Sequence, residues 1–380
     1  MAKLDFKMLH ELIDIEAVSG NEGPVRDYIR EKMKPFVDVI SVDKMGDLIC
    51  HKKGRKPSIM LAAHMDEIGL MVKRMEHTGR MYVSALGGVN SINVIGQTVS
   101  ILGSVGPVKG IISTKEINND YEMEQIPTMN DVFLDTGLTF KELEKRNVTV
   151  GSYLSLEKTD HSIGNPDFIA GKALDDRIGC FILVELAERL RNSSHEIYYV
   201  FTVQEEVGLY GAKVSTYQID PDLAVAVDVS NANDLNEEPT KILGEGPVIT
   251  MKDDEMIGNT CLNNHFRDIA KKNKISIQLE VSNFGTTDAL TISLSKGGVP
   301  ATSMGVCLRN IHTTHSIASK TDIVHCIELL EKFCLKPPLH CVEYEGENNA
   351  MKNKTAKKKA EKNKTAKKMT TKKTKKKKKR

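Results

Sequence analysis

The sequence predicts an α/β protein whose mostly parallel sheet is flanked by helices and whose chain is interrupted by a small β-rich insert. From residue 171 onward, helical stretches alternate with apolar strands, which is typical of a parallel sheet covered by helices. Between about 71 and 162, by contrast, short alternating runs are separated by many glycines, which indicates a β-rich module. At 380 residues the chain is also too long for one small core, which favours two domains.

The first elements are two helices followed by a group of strands. Apolar residues at helical spacing predict a helix within 4–16, which the polar and glycine-rich residues 19–23 end. A second helix is expected at 23–34. Short apolar runs predict strands at 37–42, 47–52 and 58–63, with Gly46, Gly54 and Pro57 as turn signals between them.

The later elements alternate between helix and strand. The expected helices are 176–191, 260–272 and 321–335, and the expected strands are 196–203, 223–229, 275–281 and 299–306. The simplest organisation is one α/β domain formed by 1–70 and 163–346, with 71–162 inserted as the β-rich domain. Residues 347–380 are mostly Lys, Thr, Ala and Asn and cannot bury enough apolar surface to offset chain entropy, so this tail is expected to be disordered.

The net charge of +2 conceals two unlike parts of the chain. Residues 351–380 hold sixteen Lys, one Arg and one Glu, whereas residues 1–350 hold 36 basic and 50 acidic residues. Bound cations or a basic substrate suit this acidic body better than nucleic acid does. The tail has two interpretations: it binds polyanions such as nucleic acid or directs the chain to the nucleus, or it is a solvated extension without catalytic consequence.

The cysteines and the N-terminus indicate a cytoplasmic protein. The seven cysteines are odd in number, scattered and never spaced as CxxC, which predicts free thiols in a reducing compartment. Charges interrupt the apolar runs near the N-terminus, so neither a signal peptide nor a membrane anchor is expected there. No later apolar stretch in the sequence approaches the length of a transmembrane helix.

Acids and histidines are concentrated where strands end or helices begin. His64 and Asp66 follow the third predicted strand, and since alternate residues of a strand share one face, Asp66 can orient the imidazole of His64. Asp175 and Asp176 open the first helix after the insert. Both could simply be helix-capping or first-turn residues, but a carboxylate at this junction could also bridge two cations. Asp175 is the candidate for the bridge and Asp176 the candidate for the cap.

A pair of glutamates occupies another strand end. Glu205 and Glu206 follow the strand at 196–203, where burial would desolvate them, and this is costly unless cations or a shared proton compensate. Neighbouring side chains of a strand point opposite ways. One Glu can therefore bind metal while the other stays free to move a proton. The alternative is an ordinary solvated strand end.

Three further residues complete the set of candidates. Asp228 is a single acid in an apolar strand, where it is either a hydrogen-bonded structural residue or a ligand. His312 and His315 follow the strand at 299–306, and either could be a ligand. Together these segments supply an oxygen-rich set of donors suited to two divalent ions that share one carboxylate.

The same segments resemble the M42 family of metallo-aminopeptidases, which includes the glutamyl aminopeptidases and the self-compartmentalising tetrahedral aminopeptidases. The resemblance extends over about residues 4–335. The stretches that carry it are AAHMDEIGLMV (62–72), GKALDDRIG (171–179), VQEEVGLYGA (203–212), AVDVS (226–230), LGEGPVI (243–249), NFGTTDA (283–289) and RNIHT (309–313).

The resemblance implies a zinc-peptidase-like catalytic domain with an inserted β-barrel, and it implies a role for each candidate residue. The implied metal ligands are His64 and Asp228 for one ion, Glu206 and His312 for the other, and Asp175 as the bridge. Glu205 would be the general base, and Asp66 would orient His64. Zn or Co is the expected metal, and Mn also accepts such ligands.

The implied activity is hydrolysis of the N-terminal peptide bond of short peptides by a metal-activated water, in a homo-oligomer expected to be a dodecamer. The insert at 71–162 would then serve assembly or gating. Tyr210 stands where many members have Arg, and the stretch after His312 lacks their Pro and Glu, so the preferred N-terminal residue stays open. Two alternatives also stay open: a related amide hydrolase or deblocking peptidase on the same scaffold, and a non-catalytic, nucleic-acid-associated protein that uses the basic tail.

Overall fold

The computed structural model describes residues 4–115, 126–157 and 162–342 of the chain. The chain divides into two units, residues 1–337 and 338–380. In the second unit the described part contains a short 3₁₀ turn at Leu339–Cys341. The lysine-rich tail at 347–380, predicted to be disordered, lies outside the described residues. In the three described ranges, no helix is long and apolar enough to cross a membrane.

A ten-stranded sheet forms the centre of the first unit. Its strands are β1 (Val39–Val42), β2 (Leu48–Lys52), β3 (Arg55–His64), β10 (Phe168–Gly171), β11 (His195–Thr202), β12 (Leu223–Asn231), β13 (Val248–Lys252), β14 (Gln278–Val281), β15 (Ala301–Arg309) and β16 (Ser316–Ser319). The strand order is β1-β2-β11-β3-β12-β15-β13-β14, and β16 pairs with both β15 and β10.

The four central strands β11, β3, β12 and β15 run parallel to one another, and antiparallel strands border them on both sides. Residues 59–63 of β3 are all buried, as are residues 223–228 of β12. Central strands of a parallel sheet are covered on both faces, which explains why these segments read as continuous apolar runs rather than alternating ones. Parallel pairing also brings the carboxyl ends of the central strands to one edge of the sheet.

Helices pack against this sheet. They are α1 (Lys7–Asp14), α2 (Gly23–Met33), α5 (Leu174–Arg189), α6 (Tyr210–Ile219), α7 (Thr260–Asn273), α8 (Ala289–Ser293) and α9 (Lys320–Leu335). The largely buried helix α5 contacts β3 and β12, and it also contacts α1 and α9. Met60 and Ala62 of β3 pack in one apolar cluster with Ala212 of α6 and Ile292 of α8.

Between β3 and β10 the chain forms a closed six-stranded barrel. Its strands are β4 (Gly69–Met75), β5 (Met81–Leu86), β6 (Thr98–Ile101), β7 (Lys109–Thr114), β8 (Val132–Asp135) and β9 (Tyr153–Leu156), and the short helices α3 (Ser91–Val94) and α4 (Phe140–Lys145) lie between strands. Every strand pair in the barrel is antiparallel. The buried cluster inside consists of Val, Leu, Ile and Met side chains, which agrees with the alternating, glycine-punctuated sequence of this region.

The predicted fold class is confirmed: an α/β sheet with flanking helices and a small β-barrel. The sheet is mixed, because its parallel centre has antiparallel edges. Strand β13 and helices α6 and α8 were not among the predicted elements, since each is short and lacks strong periodicity. The barrel strands extend from Gly69 to Leu156, while the domain boundaries 71 and 162 stay predictions.

The cysteines follow the expectation of free thiols only in part. Cys50, Cys180, Cys307, Cys326 and Cys334 are free and buried. The expectation is wrong for Cys261 and Cys341, which are disulfide-bonded. The odd number of cysteines and their scattered spacing carried no information about which of them form disulfide bonds.

Candidate active site

The predicted site residues meet at the carboxyl edge of the parallel strands. His64 is the last residue of β3, Asp228 lies near the end of β12, and Glu205 and Glu206 follow β11. His312 follows β15, and Asp175 lies in the first turn of α5. Ligand and catalytic sites of α/β sheets occur at this edge because the loops after parallel strands converge there.

Two groups of donor atoms share Asp175. One group contains His64, Asp175 and Asp228, the other contains Asp175, Glu206 and His312, and in each group the donor atoms lie within 4.8 Å of one another. Oδ1 of Asp175 is 3.0 Å from Nε2 of His64, whereas Oδ2 is 3.2 Å from Nε2 of His312. Each carboxylate oxygen of Asp175 therefore faces a different group.

The outer members of the two groups lie slightly farther away. Nε2 of His64 is 3.9 Å from Oδ1 of Asp228, and Nε2 of His312 is 3.5 Å from Oε2 of Glu206. The side chain of His64 is 2% exposed and that of Glu206 is 5% exposed, while His312 is 32% exposed at the mouth of the site. The first group is thus the more deeply buried of the two.

Asp66 connects His64 to the glutamate pair. Nδ1 of His64 lies 3.0 Å from the backbone carbonyl oxygen of Asp66 and 3.5 Å from its carboxylate. The same carboxylate accepts hydrogen bonds from the backbone N–H groups of Glu205 at 3.1 Å and Glu206 at 3.3 Å, and from Oγ of Ser19 at 2.6 Å. Asp66 therefore fixes the ring of His64, with Nε2 facing the site, and also fixes the turn that presents both glutamates.

Glu205 is partly buried beside both donor groups but belongs to neither. Burial raises the pKa of its carboxyl well above the usual range, and the negative charges of Asp228, Asp288 and Glu206 raise it further, against the opposing effect of His64. A carboxyl with a raised pKa that is not a ligand suits proton transfer near neutral pH.

The remaining acids crowd one another. Burial, together with the negative charge of Asp175, raises the pKa of Glu206 to about 8 and that of Asp228 to about 7. Burial would lower the pKa of His312, but its hydrogen bond to Asp175 and the charge of Glu206 outweigh burial and raise that pKa to about 9. In the described part of the chain, no hydrogen-bond donor reaches the buried Oε1 of Glu206. A donor set this rich in oxygen, with nitrogen from two histidines, fits divalent cations.

Asp176 and His315 lie outside the two groups. Asp176 accepts a hydrogen bond from the backbone N–H of Gly179 at 2.9 Å, which is the contact of a helix cap. His315 is exposed, and its Nδ1 lies 2.6 Å from Oγ1 of Thr314. Of the two histidines in this loop, the structure brings His312 to the donor groups.

Sequence reasoning missed a contribution from the barrel. A Cβ atom on Gly88 would lie 2.4 Å from Nδ1 of His312, and one on Gly87 would lie 2.8 Å from Oε2 of Glu206. The loop after β5 thus approaches the site so closely that it has no room for a side chain there. The adjacent glycines in the sequence were the available signal.

Asp288 is a second residue that sequence reasoning missed, although it lies in the stretch NFGTTDA. It is buried, and it accepts a hydrogen bond from Oγ1 of Thr202 at 2.6 Å. Burial raises the pKa of its carboxyl to about 6. Its charge is one of those that raise the pKa of Glu205.

The site opens into a cleft of about 1160 Å³. One wall includes Leu279, Val281 and Phe284, which follow or belong to the edge strand β14. Lys241 also lines the cleft, but its ammonium pairs with Glu280. The cleft is large enough for the first residues of a peptide.

Comparison with known proteins identifies the family. The sequence profile of the M42 glutamyl aminopeptidase family matches residues 46–329. The chain belongs to this family. It is therefore a hydrolase of the aminopeptidase class, and M42 peptidases depend on metal.

Relatives and solved structures agree with the assignment. The glutamyl aminopeptidase of Lactococcus lactis is 34% identical over 329 residues, which cover 84% of this chain and 92% of that protein. The aminopeptidase APDkam598 of Desulfurococcus kamchatkensis is 33% identical with a TM-score of 0.84, over 89% of this chain and 96% of its own. The TET1 peptidase of Pyrococcus horikoshii, which assembles into a tetrahedron or a large octahedral shell, has a TM-score of 0.80 and 28% identity, over 87% of this chain and 99% of its own.

Proposed function

We propose that this M42 peptidase removes the N-terminal residue of short peptides with a two-metal centre and with Glu205 as the general base. The observation that carries the proposal is the sharing of Asp175 between two donor groups, beside a partly buried Glu205 that belongs to neither. One carboxylate between two cations is the arrangement of hydrolytic two-metal sites.

The proposed ligands are the residues of the two donor groups. His64 and Asp228 would hold one cation, Glu206 and His312 would hold the other, and Asp175 is the donor common to both groups. Two divalent cations bound there would polarise the scissile carbonyl and lower the pKa of the attacking water. Zn or Co suits the mixed nitrogen and oxygen donors best, and Mn also accepts them.

Glu205 moves the proton. Its carboxylate accepts the proton of the attacking water and then donates it to the nitrogen of the leaving amine. Asp66 supports this step without touching the substrate, because its carboxylate accepts the backbone N–H of Glu205 and its carbonyl oxygen lies against His64. The uncompensated acids around the site also favour a substrate with a charged N-terminal amine.

The replacement Glu205→Gln tests the assignment, because Gln keeps the shape of the side chain but cannot accept the proton. We expect metal content to stay unchanged while the rate of the chemical step falls by at least about 10²-fold. Elemental analysis of the purified variant beside single-turnover kinetics measures both quantities. A variant that loses its cations, or that keeps full activity, shows that Glu205 has another role.

A second experiment tests the substrate class. An aminopeptidase requires the free amine, whereas a deblocking peptidase or deacylase accepts a blocked one. We expect turnover of an aminoacyl anilide and none of its N-acetylated form. Faster turnover of the acetylated compound would move the proposal to the related amide hydrolases.

We further propose that the protein works as a homo-oligomer, a dodecamer of six dimers, in which the barrel at 71–162 helps to form the contacts or gates the substrate. The tetrahedron formed by the TET1 peptidase of Pyrococcus horikoshii supports a large homo-oligomer, and the related solved structure PhTET1-12s is a dodecamer. Light scattering on the full chain and on a chain that ends at residue 346 tests it. We expect a dodecamer in both cases, whereas a monomer in both would remove the proposal.

A further inference from the structure

A buried ion pair lies outside both donor groups. Nζ of Lys172 donates to Oε1 of Glu67 at 2.8 Å and to Oε2 at 2.7 Å. The side chains are 2% and 3% exposed, respectively. Nζ of Lys172 also donates to Oγ of Ser155 at 3.0 Å, and this hydroxyl lies 3.3 Å from Oε1 of Glu67.

The three residues come from three different parts of the molecule. Lys172 lies in the loop between β10 and α5, three positions before Asp175. Glu67 follows Asp66, in the segment that leads from the carboxyl edge of the sheet into the barrel. Ser155 belongs to β9, the last strand of the barrel. The ion pair therefore joins the loop of the bridging carboxylate to the segment of His64 and to the barrel.

The backbone beside this pair is fixed as well. The backbone N–H of Ala17 donates to Oε1 of Glu67 at 2.9 Å, and the backbone N–H of Glu67 donates to the carbonyl of Ala17 at 3.1 Å. Val18 forms a parallel β-bridge with Glu67. A Cβ atom on Gly69 would lie 2.4 Å from Cγ1 of Val18, so the chain enters the barrel through a closely packed junction.

A second buried cation holds the other side of Asp175. Arg177 is fully buried and donates to backbone carbonyls rather than to a carboxylate, with Nε 2.9 Å from the oxygen of Met65 and Nη2 3.2 Å from that of Ala17. Its Nη1 contacts the carbonyl oxygens of Leu12 and Ile15. Asp175 is thus placed between two buried side chains that anchor its loop to the segment of His64.

Stability alone does not account for the pair. Removing two charges from water is costly, and apolar replacements of buried ion pairs are often as stable as the pair itself. A pair of this kind does, however, define one geometry, because Lys172 contacts both oxygens of Glu67. The geometry that it defines is the distance from the loop of Asp175 to the strand end that carries His64.

We propose that Lys172, Glu67 and Ser155 form a positioning network, which holds the bridging carboxylate of Asp175 against His64 and couples the seating of the barrel to the affinity of the metal centre. This inference rests on the proposed two-metal function. The three residues are positioning residues, since none belongs to either donor group. Partners that orient metal ligands typically change metal affinity or activity by about 10–100-fold when they are replaced.

The test separates position from stability with two variants. Lys172→Met leaves the charge of Glu67 buried and unpaired, so we expect both a lower melting temperature and weaker metal binding. Lys172→Met with Glu67→Gln removes both charges. We expect this double variant to recover most of the melting temperature while it binds Zn²⁺ at least about tenfold more weakly than the wild type. Competition with a chromogenic chelator on the full-length, metal-free protein measures affinity, and thermal denaturation measures stability.

Two further variants complete the design. Phe266→Leu alters a fully buried ring between α7 and α9, and we expect it to lower the melting temperature without changing Zn²⁺ affinity. Ser155→Ala removes only the contact from the barrel, and we expect a smaller loss of affinity, about twofold to fivefold, at nearly unchanged stability.

The outcomes are distinguishable. Wild-type affinity in the double variant overturns the inference, as does an equal loss of affinity in Phe266→Leu. Wild-type affinity in Ser155→Ala overturns the coupling to the barrel. If the wild-type protein itself binds no divalent cation, the proposed two-metal function is contradicted, and the inference that rests on it is contradicted as well.

Discussion

The interior of the β-barrel and the carboxyl edge of the sheet are both buried, but their contents differ. Among the described residues, the hydrophobic cluster inside the barrel consists of aliphatic and Met side chains. The sheet edge holds the buried carboxyl groups of Asp66 and Asp228 and the partly buried ones of Asp175, Glu205 and Glu206, beside two histidines. Barrel residues lose nothing by leaving water, whereas Glu205, Glu206 and Asp228 at the sheet edge lose solvation that their neighbours do not replace, which raises their pKa values.

The contrast separates a region that stabilises the folded protein from a region that destabilises it. An apolar interior contributes to folding without any ligand. A cluster of buried acids opposes folding unless cations or protons offset its charge. Metal binding should therefore stabilise the folded chain by mass action, because the unfolded chain does not assemble these donors. The following predictions test the contrast, from the largest expected effect to the smallest.

Replacing residues of the two donor groups should have the largest effect on metal content and activity. Asp175→Asn weakens the donor common to both groups, and His312→Ala removes a donor from one of them. We expect both variants to lose bound metal and at least about 10²-fold in kcat/KM, whereas the exposed His315→Ala should keep both. Elemental analysis and steady-state kinetics on the three variants measure this. A metal-poor His315 variant beside an active His312 variant would reverse the assignment of the ligand.

Substitutions in the barrel interior should lower the stability of the protein without changing its catalytic rate. Leu134 is fully buried in β8, so Leu134→Ala leaves a cavity that should cost about 2–5 kcal/mol of unfolding free energy. We expect its metal content and kcat at 25 °C to match the wild type. Denaturant unfolding beside kinetics measures both. A large loss of kcat in the folded variant would show that the barrel interior is coupled to the chemistry.

The loop after β5 is where the two regions meet. Gly88→Ala places a methyl group against the ring of His312, and displacing this proposed ligand by a fraction of an ångström should lower kcat/KM by roughly 10-fold to 100-fold. Gly297→Ala is the matched control, because no atom of the described residues, its two chain neighbours aside, lies within 4 Å of the added Cβ. Equal activity of the two variants would mean that the loop yields without moving His312.

The pH dependence of the metal-free protein should be the smallest effect. The pKa values of Glu206 and Asp228 are raised to about 8 and about 7 by burial. An acid whose pKa is raised by folding destabilises the folded state when it ionises, so stability falls as pH rises from the ordinary carboxyl pKa of about 4 up to these values and levels off above them. The raised pKa of His312, about 9, acts in the same direction.

We therefore expect the melting temperature of the chelator-treated protein to fall by several degrees between pH 5.5 and pH 8.5. Saturating Zn²⁺ should reverse the trend, because the carboxylates bind metal only when ionised. Scanning calorimetry with and without the cation decides it. A metal-free protein that is more stable at the higher pH would contradict the predicted cost of ionising these acids.

Local patterns in the sequence were sufficient for most of the fold. The buried strands and the amphipathic helices α1, α2, α7 and α9 lie close to their predicted positions, because periodicity and turn residues determine them locally. The antiparallel edges of the sheet were not predictable, since strand order depends on contacts between distant segments. Short elements such as α8 (Ala289–Ser293) carry too few residues for a periodic signal.

The site shows the same division. The seven predicted residues converge because each one lies at the end of a strand or at the start of a helix, and parallel strands end at one edge. The resemblance to a known family supplied the grouping of the ligands. Neither source indicated that Gly88 of the barrel would touch His312, or that Lys172 would pair with Glu67, because such contacts arise only when separate elements pack.

The paired glycines after β5 bear on protein engineering. A module inserted into a host at one loop is an obvious target for exchange, since its ends lie close together and its interior is self-contained. In this chain, a substitute module would also have to present bare backbone to His312 and Glu206. Chimaeras that carry the barrel of another protein should therefore fold yet remain poor enzymes until a loop without side chains is restored at positions 87 and 88.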